Sequence, residues 1–345
     1  AVARGARVVL FCNSPPASMT LTGSPTGNGE RCNLRPDAVE AYAAYLARCA
    51  KELSARWPLV ALSPINEPQW PWAPRNGQEG CHYSQAEAAR LLARSASALA
   101  REGLDLPLSL PESGAWGLRH NREYIDAIFL SLEREPELDA ALGNYAVHSY
   151  RSGRDDRLSL SSVLDELLPL RETWITEWTE MRRGRDRGMR AALALAETVH
   201  EDLVRGNAVS WQYWIAVSKY DYADGLLYVN PRARSFETTK KLWALGNWSR
   251  FVKPGACRLP CSETAAKELL VSAFWNPDRS LVFVVVNKAR KSSPPLRFAR
   301  SGGEPLPASA RAWETSARRD LEEIPIEAGR PLRFPPQSIT TLVFR

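Results

Sequence analysis

Two glutamates end short apolar runs: Glu67 in LVALSPINEPQW (59–70) and Glu177 in TWITEW (173–178). Each run reads as a buried strand, and a strand that finishes in an acid presents it at the rim of a sheet. Two carboxylates facing one another across such a rim suit the cleavage of an acetal. One, protonated, donates to the departing oxygen, while the other, ionised, attacks or stabilises the anomeric carbon. Asn13 with Ser14, Asn66, Glu112, His148 with Tyr150, and Trp214 also end apolar runs. Trp70, Trp72, Trp116, Trp178, Trp211 and Trp214 lie at or just after these tips, where flat indoles stack on sugar rings. Alternation sets Trp211 opposite Trp214 and so toward the core.

The elements that must hold these residues are readable over the first 250 positions. Strands are expected at 6–13, 59–66, 106–112, 142–150, 173–178 and 208–214. Amphipathic helices are expected over 37–55 behind Pro36, over 84–101 with Ser84 and Glu87 at capping-box spacing, over 187–205 before Gly206, and over 236–245 before Gly246. Alternation of this kind predicts βα units around a parallel sheet, an α/β barrel whose chemistry sits at the C-terminal strand ends. After Pro254 the texture changes to short β-rich segments at 268–275, 280–287, 295–299, 310–314, 330–334 and 338–345. An antiparallel β-sandwich is expected there, with barrel over 1–250 and sandwich over 251–345.

Composition excludes several classes. The 345 residues are 44% hydrophobic and 24% charged, ordinary for a globular protein. No apolar run approaches the roughly 20 residues of a membrane span, and the chain opens at Ala1 without an initiator Met or signal h-region. The net charge of +6 comes from arginines spread among acids; RRGRDR (182–187) is too short, and too poor in aromatics, for nucleic acid, and reads as a solvated loop. Six cysteines without a CxxC pair and only four histidines give no zinc pattern, so no metal and no cofactor is expected. If the protein is exported, Cys257 and Cys261 are the pair to test for a bridge, and Cys49 is expected to be a buried thiol.

As an ordered set, SPINEPQW, HSY, WITEW, SWQYW, LWALGNWSRFVKPGACRL and FPPQSITTLVF resemble glycoside hydrolase family 30 over nearly the whole chain. The resemblance implies a (β/α)8 barrel with a β-sandwich beside it and retaining β-glycosidase activity on a poly- or oligosaccharide, secreted or periplasmic. By this resemblance Glu67 is the general acid/base after the fourth barrel strand and Glu177 the nucleophile after the seventh. Asn66 would bond the sugar 2-hydroxyl, Tyr150 would position the nucleophile, and Trp214, His148, Asn13 and Trp178 would line the substrate. The carboxyl groups are expected about 5–5.5 Å apart, with Glu67 holding its proton to higher pH than Glu177.

Within the family, NSPPASMTLTGSPTGN, NEPQW and QEGCHYS are most similar to the branch containing endo-β-1,6-galactanases. A β-1,6-galactan or related plant side chain is the first substrate expected, with xylan and β-glucosides next. Ala17 and Ser18 stand where relatives carry aromatics. Residues 6–13 correspond to the family's third barrel strand, so a barrel lacking its first two strands is expected in this chain. Its uncovered edges would favour self-association. The alternative reading is a catalytically impaired carbohydrate-binding fragment or pseudoenzyme of the same family.

Overall fold

The computed structural model describes residues 1–262, 266–300, 306–307, 309–327 and 330–345. It divides into two compact units, residues 1–178 with 205–212, and 179–204 with 213–345.

In the first unit the apolar runs pair into one six-stranded sheet: β1 (Val8–Phe11), β2 (Leu59–Ser63), β3 (Leu108–Ser113), β4 (Leu142–His148), β5 (Glu172–Glu177) and β6 (Ser210–Trp211). Neighbours in space are neighbours in sequence and every pairing is parallel, the arrangement of a barrel wall with six of eight strands. The last strand is shorter than expected: of 208–214 only two residues pair, Ser210 with Trp174 and Trp211 with Ile175. Val209 is 59% exposed, so apolar character overstated the strand.

Between the strands lie α1 (Val39–Ser54), α2 (Gln85–Arg101), α3 (Leu118–Leu132), α4 (Pro136–Ala141) and α5 (Arg154–Leu167). The capping box forms as its spacing predicts. Ser84 Oγ accepts from the Glu87 N–H, and the Glu87 carboxylate accepts from the Ser84 N–H at 2.8 Å. Helix α1 starts two residues later than expected because Pro36–Ala38 forms a 3₁₀ turn first. Helices α3 and α5 were not anticipated, since each buries only a narrow apolar stripe: Tyr124, Ile125 and Ile128 in one, Leu160 and Leu164 in the other.

The second unit holds α6 (Met189–Val204), a small sheet of β7 (Val217–Ser218), β8 (Leu227–Asn230) and β9 (Ser235–Thr238), and α7 (Lys240–Ser249). It continues as β10 (Cys257–Leu259), β11 (Leu269–Trp275), β12 (Leu281–Asn287), β13 (Ala310–Thr315), β14 (Asp320–Ile324) and β15 (Ser338–Phe344). These six pair antiparallel in the order β10-β11-β12-β15-β13-β14 around Leu281, Phe283, Val285, Leu342 and Phe344. Asn247 pins α7 to this sheet, donating to Thr315 Oγ1 and accepting from Thr341 Oγ1, both at 2.9 Å.

Several expectations are corrected here. Residues 236–238 belong to β9 and the helix begins at Lys240, because Phe236, 68% exposed, is not the start of a buried helical face. Segments 295–299 and 330–334 are not extended strands; among the described residues they meet in an isolated bridge, Leu296 to Leu332. The 182–187 segment is exposed yet bonded. Arg182 and Arg190 hold Asp186, Arg187 holds Glu237, and Arg185 donates to the carbonyls of Tyr220 and Lys219. Cys257 and Cys261 are unbridged thiols, and Cys49 is half-buried rather than buried. The cysteine thiols that do meet are Cys32 and Cys81, in the first unit.

Candidate active site

Three strand tips of the first unit converge on one histidine. Beyond β2 the backbone turns at Glu67 into the left-handed region, φ 41°, and its N–H donates to the Glu112 carbonyl at 2.9 Å. Trp72, buried under this turn, donates its indole N–H to the Glu67 carbonyl at 3.1 Å. Strand β3 carries a bulge between Pro111 and Ser113, leaving Glu112 out of register with β4 at φ 58°. A bulge re-aims a side chain, and here it sends a carboxylate inward. The β4–β5 register then places His148 opposite Glu177.

The resulting distances are short. His148 Nδ1 lies 3.1 Å from Glu67 Oε1 and 3.9 Å from Glu177 Oε1, while Nε2 lies 3.5 Å from Glu112 Oε2. Tyr150 donates its hydroxyl to Glu177 Oε1 at 2.7 Å. The Thr176 hydroxyl donates to Glu112 Oε2. One carboxylate oxygen of Glu67, one of Glu177 and a ring nitrogen of His148 all lie within 4.8 Å of one another. Carboxyl pairs of double-displacement glycosidases stand about 5–5.5 Å apart and those of inverting enzymes about 6.5–9.5 Å. The spacing here belongs with the former.

The charges follow from burial and proximity. Burial alone disfavours the His148 imidazolium, but Glu177, Glu112 and Glu67 outweigh it and hold the ring's pKa well above its ordinary value. Glu177 is pushed up, chiefly by burial and also by the charges of Glu67 and Glu112, while His148 and the Tyr150 hydroxyl oppose the shift. This carboxyl is too deeply buried for its partners to offset the loss of solvent. On distance alone, Glu67, His148 and Glu177 could surround a cation. An imidazolium, however, has no lone pair to offer a metal.

The remaining predicted residues divide. Asn66 is buried, and its Oδ1 has no hydrogen-bond partner among the described residues. Asn13 stands half-buried two residues beyond β1. Trp178 is nine-tenths buried and tilts against Trp211 at 6.1 Å between centroids, so it packs rather than offering an open platform. Trp72 and Trp116 are buried as well. Of the predicted indoles the open ones are Trp70, 38% exposed with the Arg151 guanidinium 5.5 Å above its ring, and, in the second unit, Trp214 at 40%. Sequence reasoning noted Glu112 as a strand tip but gave it no role, and it missed Thr176 and Gly114. The signal for Gly114 was present in PESG: only a residue without a side chain leaves room there for the Glu67 carboxyl.

Comparison with known proteins shows the family. Residues 1–127 and 154–228 match the family model described as O-Glycosyl hydrolase family 30, and residues 255–342 match the Glycosyl hydrolase family 30 beta sandwich domain. The glucuronoxylanase XynC of Bacillus subtilis is 22% identical over 361 aligned positions, covering 100% of this chain and 75% of that protein. Among solved structures, a conserved exported protein from Bacteroides fragilis superposes with a TM-score of 0.81 at 22% identity, covering 97% of this chain and 75% of that one. The glycoside hydrolase family 30 subfamily 8 xylanase Xyn30A from Clostridium acetobutylicum gives 0.79 at 23% identity, covering 99% and 81%. The endo-beta1,6-glucanase BT3312 gives 0.70 at 18% identity, covering 99% and 72%. With residues 1–127 and 154–228 matched by the one model and 255–342 by the other, the chain belongs to glycosyl hydrolase family 30.

Proposed function

We propose that this protein is a retaining glycoside hydrolase in which Glu177 is the nucleophile and Glu67 the general acid/base. The observation that carries the reading is the short separation of the two carboxylates, within 4.8 Å, with Tyr150 bonded to Glu177. Glu177 attacks the anomeric carbon while Glu67 passes its proton to the departing oxygen. The bond to the leaving group breaks as an ester to Glu177 forms. Water then attacks the anomeric carbon, Glu67 takes the water proton, and the bond from that carbon to Glu177 breaks, releasing Glu177 as a carboxylate. Asn66, whose buried Oδ1 is free to accept, bonds a hydroxyl of the sugar being cleaved. The half-buried Asn13 is a further substrate contact in this reading.

The substrate is a β-linked plant polysaccharide met outside the cytoplasm, a β-1,6-galactan first. Support for the linkage comes from the NEPQW and QEGCHYS segments, and the open Trp70 supplies a sugar-sized platform three residues after Glu67. The test is product release from β-1,6-galactan, xylan and β-1,6-glucan, with the anomer of the first product followed by NMR. Release of the β-anomer, abolished in Glu177→Gln, is the expected result. An α-anomer first product, or full activity in Glu177→Gln, would refute the assignment.

A further inference from the structure

Glu112 is 1% exposed, is held in left-handed backbone, and belongs to neither half of the carboxylate pair. A buried acid with strained backbone is costly unless other groups use it. Three strand tips use this one. Its carbonyl accepts from the Glu67 N–H at 2.9 Å, its Oε2 accepts from Thr176, the residue before Glu177, and the same oxygen faces His148 Nε2 at 3.5 Å. Ser109, which donates to Asn144 at 2.8 Å, sits 3.4 Å from the other carboxylate oxygen.

We propose that Glu112 is a positioning residue that fixes a charged His148 between the two reacting carboxylates, a role that rests on the glycosidase reading above. The groups facing His148 are Glu67 from the β2 tip, Glu112 from β3, Tyr150 beyond β4 with ring centroids 5.9 Å apart, and Glu177 from β5. With the Glu112 side chain at its Nε2, the ring keeps its proton and aims Nδ1–H at Glu67, while its positive charge offsets the burial of Glu177. Glu67 and Glu177 are thus set by one cation whose position Glu112 dictates. Glu112 meets no reacting atom; it acts through His148 and through the backbone bond to Glu67.

The test uses Glu112→Gln, which keeps the shape and an acceptor for Thr176 but removes the charge. In ¹⁵N-histidine NMR of the substrate-free protein, His148 should titrate at least about one pH unit lower in this variant than in the wild type, the change expected when a contacting opposite charge is lost. On polysaccharide the pH–rate bell should move to lower pH as a whole, with kcat at the optimum down about tenfold or more and KM within about threefold. Thr176→Val, which frees the Glu112 carboxylate without altering charge, should lower kcat in the same direction and leave the His148 titration within about half a unit. Identical His148 titrations in wild type and Glu112→Gln would overturn the proposal, as would an activity loss equal at every pH. If the wild type cleaves no β-linked polymer, the glycosidase reading fails by itself, and the NMR titration still decides the role of Glu112.

Discussion

Replacing Gly114 by alanine should damage the reaction while sparing the fold. A Cβ at this position lies 2.8 Å from Glu67 Oε1, 3.0 Å from Gln69 Nε2 and 3.2 Å from Glu67 Cδ, where ordinary contact begins at 3.4 Å. The Glu67 carboxyl must therefore retreat by about 0.6 Å, against a His148 nitrogen already at 3.1 Å. The atom struck first is the far end of a side chain, so the fold can yield. Gly114 is not in the left-handed region, so alanine also removes unfolded-chain entropy worth ~0.4–1 kcal/mol in favour of folding. Crowding costs about 1 kcal/mol or a little more. The two nearly cancel, and Tm should move by no more than a few degrees.

The chemistry has no such compensation. A misplacement of about 1 Å costs on the order of a hundredfold in rate, so 0.6 Å at the proton donor should cost about tenfold or somewhat more in kcat/KM on polysaccharide. The loss should shrink to about threefold or less on an aryl glycoside whose phenolate departs unprotonated, because such a leaving group needs no proton from Glu67. Parallel assays on the two substrates separate a displaced acid from general damage. Equal losses on both, or full activity on both, would refute the reasoning.

Three further outcomes are expected. Tyr150→Phe removes a donor 2.7 Å from Glu177 Oε1, so the Glu177 carboxyl should rise further. A hydrogen bond to a charged group is worth about 1.5–3 kcal/mol and each pKa unit about 1.4, so the acidic limb of the pH–rate profile should move up by about one to two units; an unmoved limb would remove Tyr150 from the site. Lys241, fully buried and donating to the Ala223 carbonyl at 2.5 Å, is lowered from 10.5 to about 8, chiefly by burial. Between those values the unfolded chain binds more protons than the fold, so wild-type stability relative to Lys241→Met should rise as pH goes from about 8 to 10.5, and a flat difference in denaturant midpoints would contradict this. The neighbouring thiols of Cys32 and Cys81 should join under oxidised glutathione, with two thiols lost to titration per chain and none lost in Cys81→Ser; bridging at Cys257 instead would contradict the placement.

The paired acids were legible because each closes an apolar run that holds a strand, Glu177 at the end of β5 and Glu67 four residues past β2, and the parallel sheet puts such ends on one side. Glu67 and Glu177 needed only that rule. The indoles needed more. Trp70 and Trp72 are two residues apart in one loop, yet one lies open and the other is buried beneath the Glu67 turn, a difference set by where the chain folds back and not by any spacing. Helices α3 and α5 were missed for a related reason: their few buried residues, among many charges, gave no stripe wide enough to read.

Glu112 shows why a site can be half visible. LPLSLPES contains two prolines, Pro107 and Pro111, which count against a central strand, and its acid is one of 39 acidic residues in the chain. What makes it matter is a register slip against β4 and a left-handed φ, neither of which residue types reveal. Such a slip turns a residue that alternation would aim one way toward the other face. The consequence reaches the chemistry. Without the bulge, His148 would meet the charges of Glu67 and Glu177 alone, and a buried ring between them would have less reason to hold its proton. The third carboxylate and the strained backbone that delivers it are therefore one feature, and selection on the charge of His148 would act on the path of β3 as much as on the identity of residue 112.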